Sequence, residues 1–399
     1  MFNSTLLLIC ILLGSEESQA YLKRSSHIQI ENTEVVINQV FTDSTADIHY
    51  LTVQKNKLNF VDGQKIQIFS FTTDILKVSS SDNGQYFAVV TRPQNLVKES
   101  GLELHSIQKL QDEQFSLSLP YFYDDPFPEI KISNAGQILV GQTTTNTVTL
   151  YSAEGIIILK IELFSTSDYA LERSLRLAFS PDGSFFFAAA MREPARPENA
   201  LTTENVSLFK FDSKGNELWR QALPEQSLGE MQLAPDGSML AVNSYDAFAV
   251  GGILQSTRII SDAGETISQM EGGFRVAEFS TDGTHILLSS KKKAEVYTIE
   301  TGSMVASAVI PHPQMILSAL LHSQNENISL LTGVSTFEVD KFLFKENRLR
   351  SYSSAGELIS QIPVEGALTS PAKLQHINGD QILLTDARRI EIFRKGAQK

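Results

Sequence analysis

Three short stretches of the chain combine side chains suited to molecular contact. Tyr121-Phe122-Tyr123-Asp124-Asp125-Pro126-Phe127 sets rigid aromatic rings beside carboxylates and a proline, a composition enriched at protein contact hot spots. Met191-Arg192-Glu193-Pro194-Ala195-Arg196-Pro197-Glu198 carries two guanidinium forks in a proline-stiffened segment, suited to bidentate capture of carboxylates. Tyr245, Asp246 and Phe248 stand beside Gly251-Gly252 as a third set. The chemistry these residues support is recognition rather than bond making. Tyr121, Tyr123, Asp124, Asp125, Phe127, Arg192, Arg196, Tyr245, Asp246 and Phe248 are therefore the candidate partner-binding residues, with structural plugging or plain solvation as the competing explanation. No catalytic set is assigned.

Patterns that would support catalysis or metal binding are missing from the sequence. The histidines at 27, 49, 105, 285, 312, 322 and 376 form no H-x-H or H-E-x-x-H pair that would aim two imidazoles at one ion. Asp124, Asp125 and Glu129 offer oxygen ligands of the kind calcium takes, but a solvated acidic loop accounts for them without an ion. No G-x-G-x-x-G or G-x-x-x-x-G-K-[ST] run occurs, and no G-x-S-x-G elbow, which removes Rossmann enzymes, P-loop NTPases and nucleophile-elbow hydrolases. No metal and no cofactor is expected.

The 399 residues are 42% apolar and carry a net charge of −13, so a nucleic-acid backbone or anionic lipid surface is repelled. Met1 to Ala20 holds one apolar run, Leu6 to Leu13, too short to span a bilayer. Ser18 and Ala20 follow it in the small-x-small arrangement of a signal-peptidase site. Residues 1–20 are read as a cleaved signal peptide and 21–399 as the mature domain, although no Lys or Arg precedes the apolar run. Cleavage removes Cys10, the only cysteine, and with it any disulfide, cysteine nucleophile or Cys-ligated zinc. The expectation is an exported protein, periplasmic or extracellular, monomeric and without a membrane anchor after cleavage.

The elements that must position the contact segments are legible in the turns. Phe179-Ser180-Pro181-Asp182-Gly183, Leu233-Ala234-Pro235-Asp236-Gly237 and Phe279-Ser280-Thr281-Asp282-Gly283 each precede an apolar run. Proline presets φ, aspartate caps its own turn and glycine supplies positive φ, so each closes a strand-turn-strand hairpin. Weaker copies lie at Ser81-Asp82-Asn83-Gly84, Ser133-Asn134-Ala135-Gly136 and Asn378-Gly379. A second hairpin follows, an alternating strand closed by a glycine turn, as in VTLYSAEGIIIL (148–159) and VYTIETGSMV (296–305). The repeat is four strands, A-B then C-D, starting near residues 35, 75, 129, 175, 230, 275, 316 and 371, with a period of about 40–55 residues. Eight starts predict an all-β fold, a single β-propeller of eight four-stranded antiparallel blades. Seven blades is the alternative if residues 21–55 pack outside the ring. The last repeat stops after its C strand, Ile390 to Arg394, and His27 to Glu31 is the candidate for its fourth strand, so that the two chain ends close the ring.

These S-P-D-G hairpins with trailing apolar strands resemble the WD40-like, YVTN and TolB-type β-propeller repeats over nearly all of residues 30–399. Phe211 to Trp219 (FDSKGNELW) is similar to one blade of the pyrroloquinoline-quinone-like propellers. The resemblance implies architecture and leaves function open. In an up-and-down blade the A-B and C-D turns lie at one end and the B-C and D-to-A connections at the other. The long connections are all of the second kind: Arg92 to Gly101, Leu119 to Pro128, Ser165 to Ser174, Met191 to Glu204, Asn243 to Gln255 and Thr336 to Glu346. Loops on a rigid scaffold carry binding, so this face is assigned the function. Lys291-Lys292-Lys293, in a short B-C turn there, is read as a solubility feature. The expected role is a non-catalytic, protein-docking propeller. The alternatives are a lactonase-like hydrolase or quinoprotein-like oxidoreductase with an axial metal or cofactor site, and a glycan- or solute-binding propeller.

Overall fold

Short apolar strands separated by glycine turns satisfy their backbone groups only by pairing with their neighbours, and a four-strand meander leaves two apolar faces to bury. A computed structural model of the chain shows how this is met: eight antiparallel sheets, each a four-stranded meander and one with Leu368–Thr369 added as a short fifth strand, form the blades of one ring. It describes residues 21–396 apart from 31, 33, 43–46, 64, 94–98, 107–112, 121–127, 164–173, 192–205, 226, 247–253, 323–326, 339–340, 370 and 379–380. The inner A strands of blades 1 to 8 are Val36–Thr42, Ile75–Ser80, Glu129–Ile132, Ser174–Phe179, Ser227–Leu233, Val276–Phe279, Met315–Leu321 and Lys373–Asn378. Each begins within a few residues of the start read from the sequence.

Blade 8 is composite. Lys373–Asn378, Gln381–Thr385 and Arg389–Gly396 come from the C-terminal end, and Tyr21–Gln29 adds the outer strand, with Tyr21 opposite Gly396 and His27 opposite Glu391. The sequence places this strand at His27 to Glu31; it starts earlier and stops at Gln29, because Arg389–Gly396 offers a paired edge along its whole length. Glu391, 1% exposed, lies 3.4 Å from Arg389, 3.7 Å from His27 and 3.9 Å from Arg24. A buried carboxylate near the C-terminus thus meets basic side chains of the N-terminal strand.

The core sits between blades. One cluster joins Leu51, Leu58 and Phe60 of blade 1 to Val78, Phe87 and Val89 of blade 2, and similar clusters recur around the ring. The predicted turn chemistry is present: Ser180 Oγ donates to Asp182 Oδ1 at 2.8 Å, and Asp182 accepts the Ser184 N–H at 3.0 Å. The glycine turns also serve the blade contacts. At Gly264 (φ +88°) a Cβ would lie 3.0 Å from Trp219 of the preceding blade, and at Gly356 (φ +81°) 2.7 Å from the Ser307 carbonyl oxygen. Trp219 completes its side of the contact by donating Nε1–H to the Asp262 carbonyl at 2.9 Å.

Candidate functional site

On the end that carries the B-C and D-to-A connections, the B and C strands of blade 7, Ile328–Glu338 and Lys341–Tyr352, run on as a two-stranded ribbon. The sequence reading makes Thr336 to Glu346 a loop. It is paired strand instead, with Ser335 opposite Phe344, Thr336 opposite Leu343 and Phe337 opposite Phe342. The physical reason is that both segments, VSTFE and KFLF, are rich in β-formers, so pairing continues past the body of the blade.

The ribbon is bent and braced. Register shifts between Thr332 and Val334, and Asn347 fills the bulge, donating Nδ2–H to the carbonyls of Phe344 (2.8 Å) and Gly366 (3.0 Å). Leu343 and Phe344 pair with Thr369 and Leu368 in the crossing to blade 8, and Lys345 is ion-paired with Glu338. Beyond these braces Phe337 and Phe342 stand 62% and 63% exposed, their rings edge to face at 5.0 Å. At the ribbon's base a cavity of about 640 Å³ opens between Lys345, Asn347, Arg348, Pro363, Val364 and Ala367. The Arg348 guanidinium makes no hydrogen bond or ion pair with a described residue.

Of the residues singled out from the sequence, Tyr245 and Asp246 end the B strand of blade 5, Met239–Asp246, half-buried on the same face and two blades from the ribbon. They are paired with Gln255 and Leu254, so the connection read as Asn243 to Gln255 is shorter than expected. Tyr121, Tyr123, Asp124, Asp125, Phe127, Arg192, Arg196 and Phe248 lie outside the described residues. Beneath Tyr245, Arg258 grips both oxygens of Glu225 at 2.5 and 2.7 Å, and Ser244 Oγ donates to Glu225 at 2.8 Å. Burial pushes the Glu225 carboxyl up, and these bonds outweigh it and hold the group below the usual range. The lysine run is more than a solubility feature: Lys292 Nζ donates to the Gln314 carbonyl in the crossing from blade 6 to blade 7.

The inner strands also carry charged groups. Glu129, named above with Asp124 and Asp125, lies 3.6 Å from Lys77 and 3.7 Å from Lys131, and Arg176 lies 3.5 Å from Glu230 of the next blade. Toward the A-B turns, Glu278 accepts the Leu321 N–H at 2.8 Å and His376 Nε2 donates to the Leu321 carbonyl at 2.9 Å. His376 is 3.9 Å from Glu278 and meets the edge of His322 at 4.9 Å between ring centres. Burial pushes the Glu278 carboxyl up to about 8. The histidines looked scattered because residues far apart in the chain sit on neighbouring A strands; aligning the eight repeats strand by strand is the signal that finds them. Among the described residues, no group of three or more His, Cys, Asp or Glu is placed to hold a metal ion.

No protein-family model matches the sequence, and no curated protein matches it. Likeness lies in three dimensions. The fold is similar to that of BamB from Moraxella catarrhalis, with a TM-score of 0.59 and 12% identity over 94% of this chain and 100% of that one. It is similar to the Dos1 propeller (TM-score 0.61, 10% identity, 95% and 96% of the two chains) and to the C-terminal WD40 domain of Sif2 (0.53, 12%, 93% and 99%). These likenesses and the closed ring define the class as an eight-bladed β-propeller, and at such identities they show the fold alone.

Proposed function

We propose that this chain is an exported, monomeric, non-catalytic propeller that docks a protein partner on its B-C/D-A face. Residues 1–20 act as the signal peptide, and the blade 7 ribbon is the principal contact. The observation that carries the reading is the exposed Phe337–Phe342 pair on a ribbon braced by Asn347, the Leu368-Thr369 crossing and the Lys345–Glu338 ion pair. Two exposed aromatic rings add nothing to the core, whereas rigid aromatic anchors are what contact hot spots are made of. Arg348 at the base of the ribbon supplies a planar fork for a partner carboxylate. The sequence reading makes the segments containing Tyr121, Tyr123, Asp124, Asp125, Phe127, Arg192, Arg196 and Phe248 B-C or D-to-A connections, and on that reading they extend the contact.

Crosslinking co-purification of residues 21–399 from the native compartment, beside the Phe337→Ala/Phe342→Ala variant, tests the reading. A partner captured by the parent and lost by a variant of unchanged Tm supports docking through the ribbon. Equal capture by both removes the ribbon from the contact.

A further inference from the structure

At the opposite end of the ring, where blade 8 meets blades 1 and 2, lies a cavity of about 220 Å³. Its wall takes Gln39 and Phe41 from blade 1, Ser80 and Asp82 from blade 2, and Gln375 and His376 from blade 8. His376 is committed through Nε2 to the Leu321 carbonyl. The two carboxamides, the Ser80 hydroxyl and the Asp82 carboxylate make no side-chain hydrogen bond or ion pair with a described residue. Four polar groups from three blades therefore converge on one concavity, each on or beside a strand that fixes its position. The lining is mostly polar, with Val40, Phe41 and Leu383 as its apolar part, and convergent polar groups on a fixed concavity orient a small ligand.

The lining also selects the ligand. Among the described residues no Lys or Arg faces the cavity and Asp82 does, which opposes an anion. Among the described lining residues a single carboxylate flanked by neutral amides is available to an organic cation, and it stands on an exposed turn. Carboxamides offer a donor and an acceptor each, and so do hydroxyl groups, so the two match many times over on a polyol. The volume falls below the roughly 300–1,000 Å³ of sites for drug-sized ligands, which limits the occupant to about one sugar ring. Phe41, Val40 and Leu383 supply the apolar part of the lining, against which the carbon framework of such a ring can rest.

We propose that this cavity binds a neutral polyhydroxylated molecule of monosaccharide size, held by Gln39, Gln375, Ser80 and Asp82 against Phe41. The site lies on the face away from the ribbon and stands whether or not the ribbon docks a protein.

Saturation-transfer NMR on residues 21–399 with D-glucose, D-galactose and N-acetyl-D-glucosamine tests it, with choline and acetate run in parallel. Transfer to at least one sugar is expected, at least five-fold weaker in Gln39→Ala/Gln375→Ala at matched Tm. The Asp82→Asn variant, changed on an exposed turn, provides a second reading should the double variant unfold, with at least a three-fold loss expected. The proposal is overturned by absence of transfer to all three sugars, by sugar signals that both variants leave intact, or by stronger transfer to choline or acetate.

Discussion

Replacing Glu278 by glutamine is expected to stabilise the ring at alkaline pH and leave it unchanged in acid. Burial pushes this carboxyl from the usual 4.5 up to about 8, while the Leu321 N–H bond pulls weakly the other way. Between those two values the folded chain holds a proton that the unfolded chain has released. The contribution to stability is therefore complete below about pH 4.5 and lost as pH rises through about 8. At about 1.36 kcal/mol per pH unit the full loss would be about 5 kcal/mol. The side chain keeps 26% of its surface in solvent and has His376 at 3.9 Å, so screening reduces the expected effect to about 1–3 kcal/mol. Glutamine keeps the shape and an oxygen for the Leu321 N–H without the charge. Calorimetric Tm of parent and Glu278→Gln from pH 5 to 9 reads the difference, at about 2–4 °C or less per kcal/mol for a chain of this size. The parent should fall below the variant by a few degrees between pH 6.5 and 9. Parallel curves over the whole range would refute the burial argument.

Other consequences can be checked by denaturation. Gly356→Ala forces a Cβ to within 2.7 Å of the Ser307 carbonyl at φ +81° and should cost more than about 2 kcal/mol in urea unfolding, whereas Gly63→Ala, with φ +55° and open space around it, should cost only the backbone penalty of about 1 kcal/mol. Arg258→Met strands the partly buried Glu225 carboxylate and should cost about 3 kcal/mol, with Glu225→Gln/Arg258→Met recovering much of it. The Ser280 hydroxyl and the Thr284 N–H and hydroxyl hold Asp282 down to about 2, so its contribution is present above about pH 4 and lost toward pH 2. Because this turn is exposed, Asp282→Ala should cost less than about 1 kcal/mol at pH 7 and nothing at pH 2, read from parallel urea titrations.

The repeat was legible because each S-P-D-G turn has a local cause. Ser180 and Asp182 bond within their own five residues, so the pattern survives in the sequence without reference to the rest of the ring. The ring closure was legible because the last repeat lacked a strand, but its bounds were not, since nothing within Tyr21–Gln29 records the length of the edge it pairs with. Phe337 and Phe342 were missed for a different reason. Glu338 and Lys341 flank the turn and read as loop, while the pairing that makes a ribbon depends on Leu368 and Thr369 from the next crossing. Likewise Glu278, His322 and His376 meet only because three inner strands lie side by side. Local turn chemistry is written in short segments, whereas axial and interblade contacts are set by ring closure.

The central claim is that a protein partner binds the B-C/D-A face, and photocrosslinking from single positions addresses it most directly. A photoreactive phenylalanine analogue placed at Phe342, at the tip of the ribbon, is compared with one at Asn83, in an A-B turn at the other end of the ring. The account predicts a discrete crosslinked partner from position 342, absent from position 83 and competed away by unlabelled parent protein. The same adduct from both positions, or an adduct from position 83 alone, would contradict it.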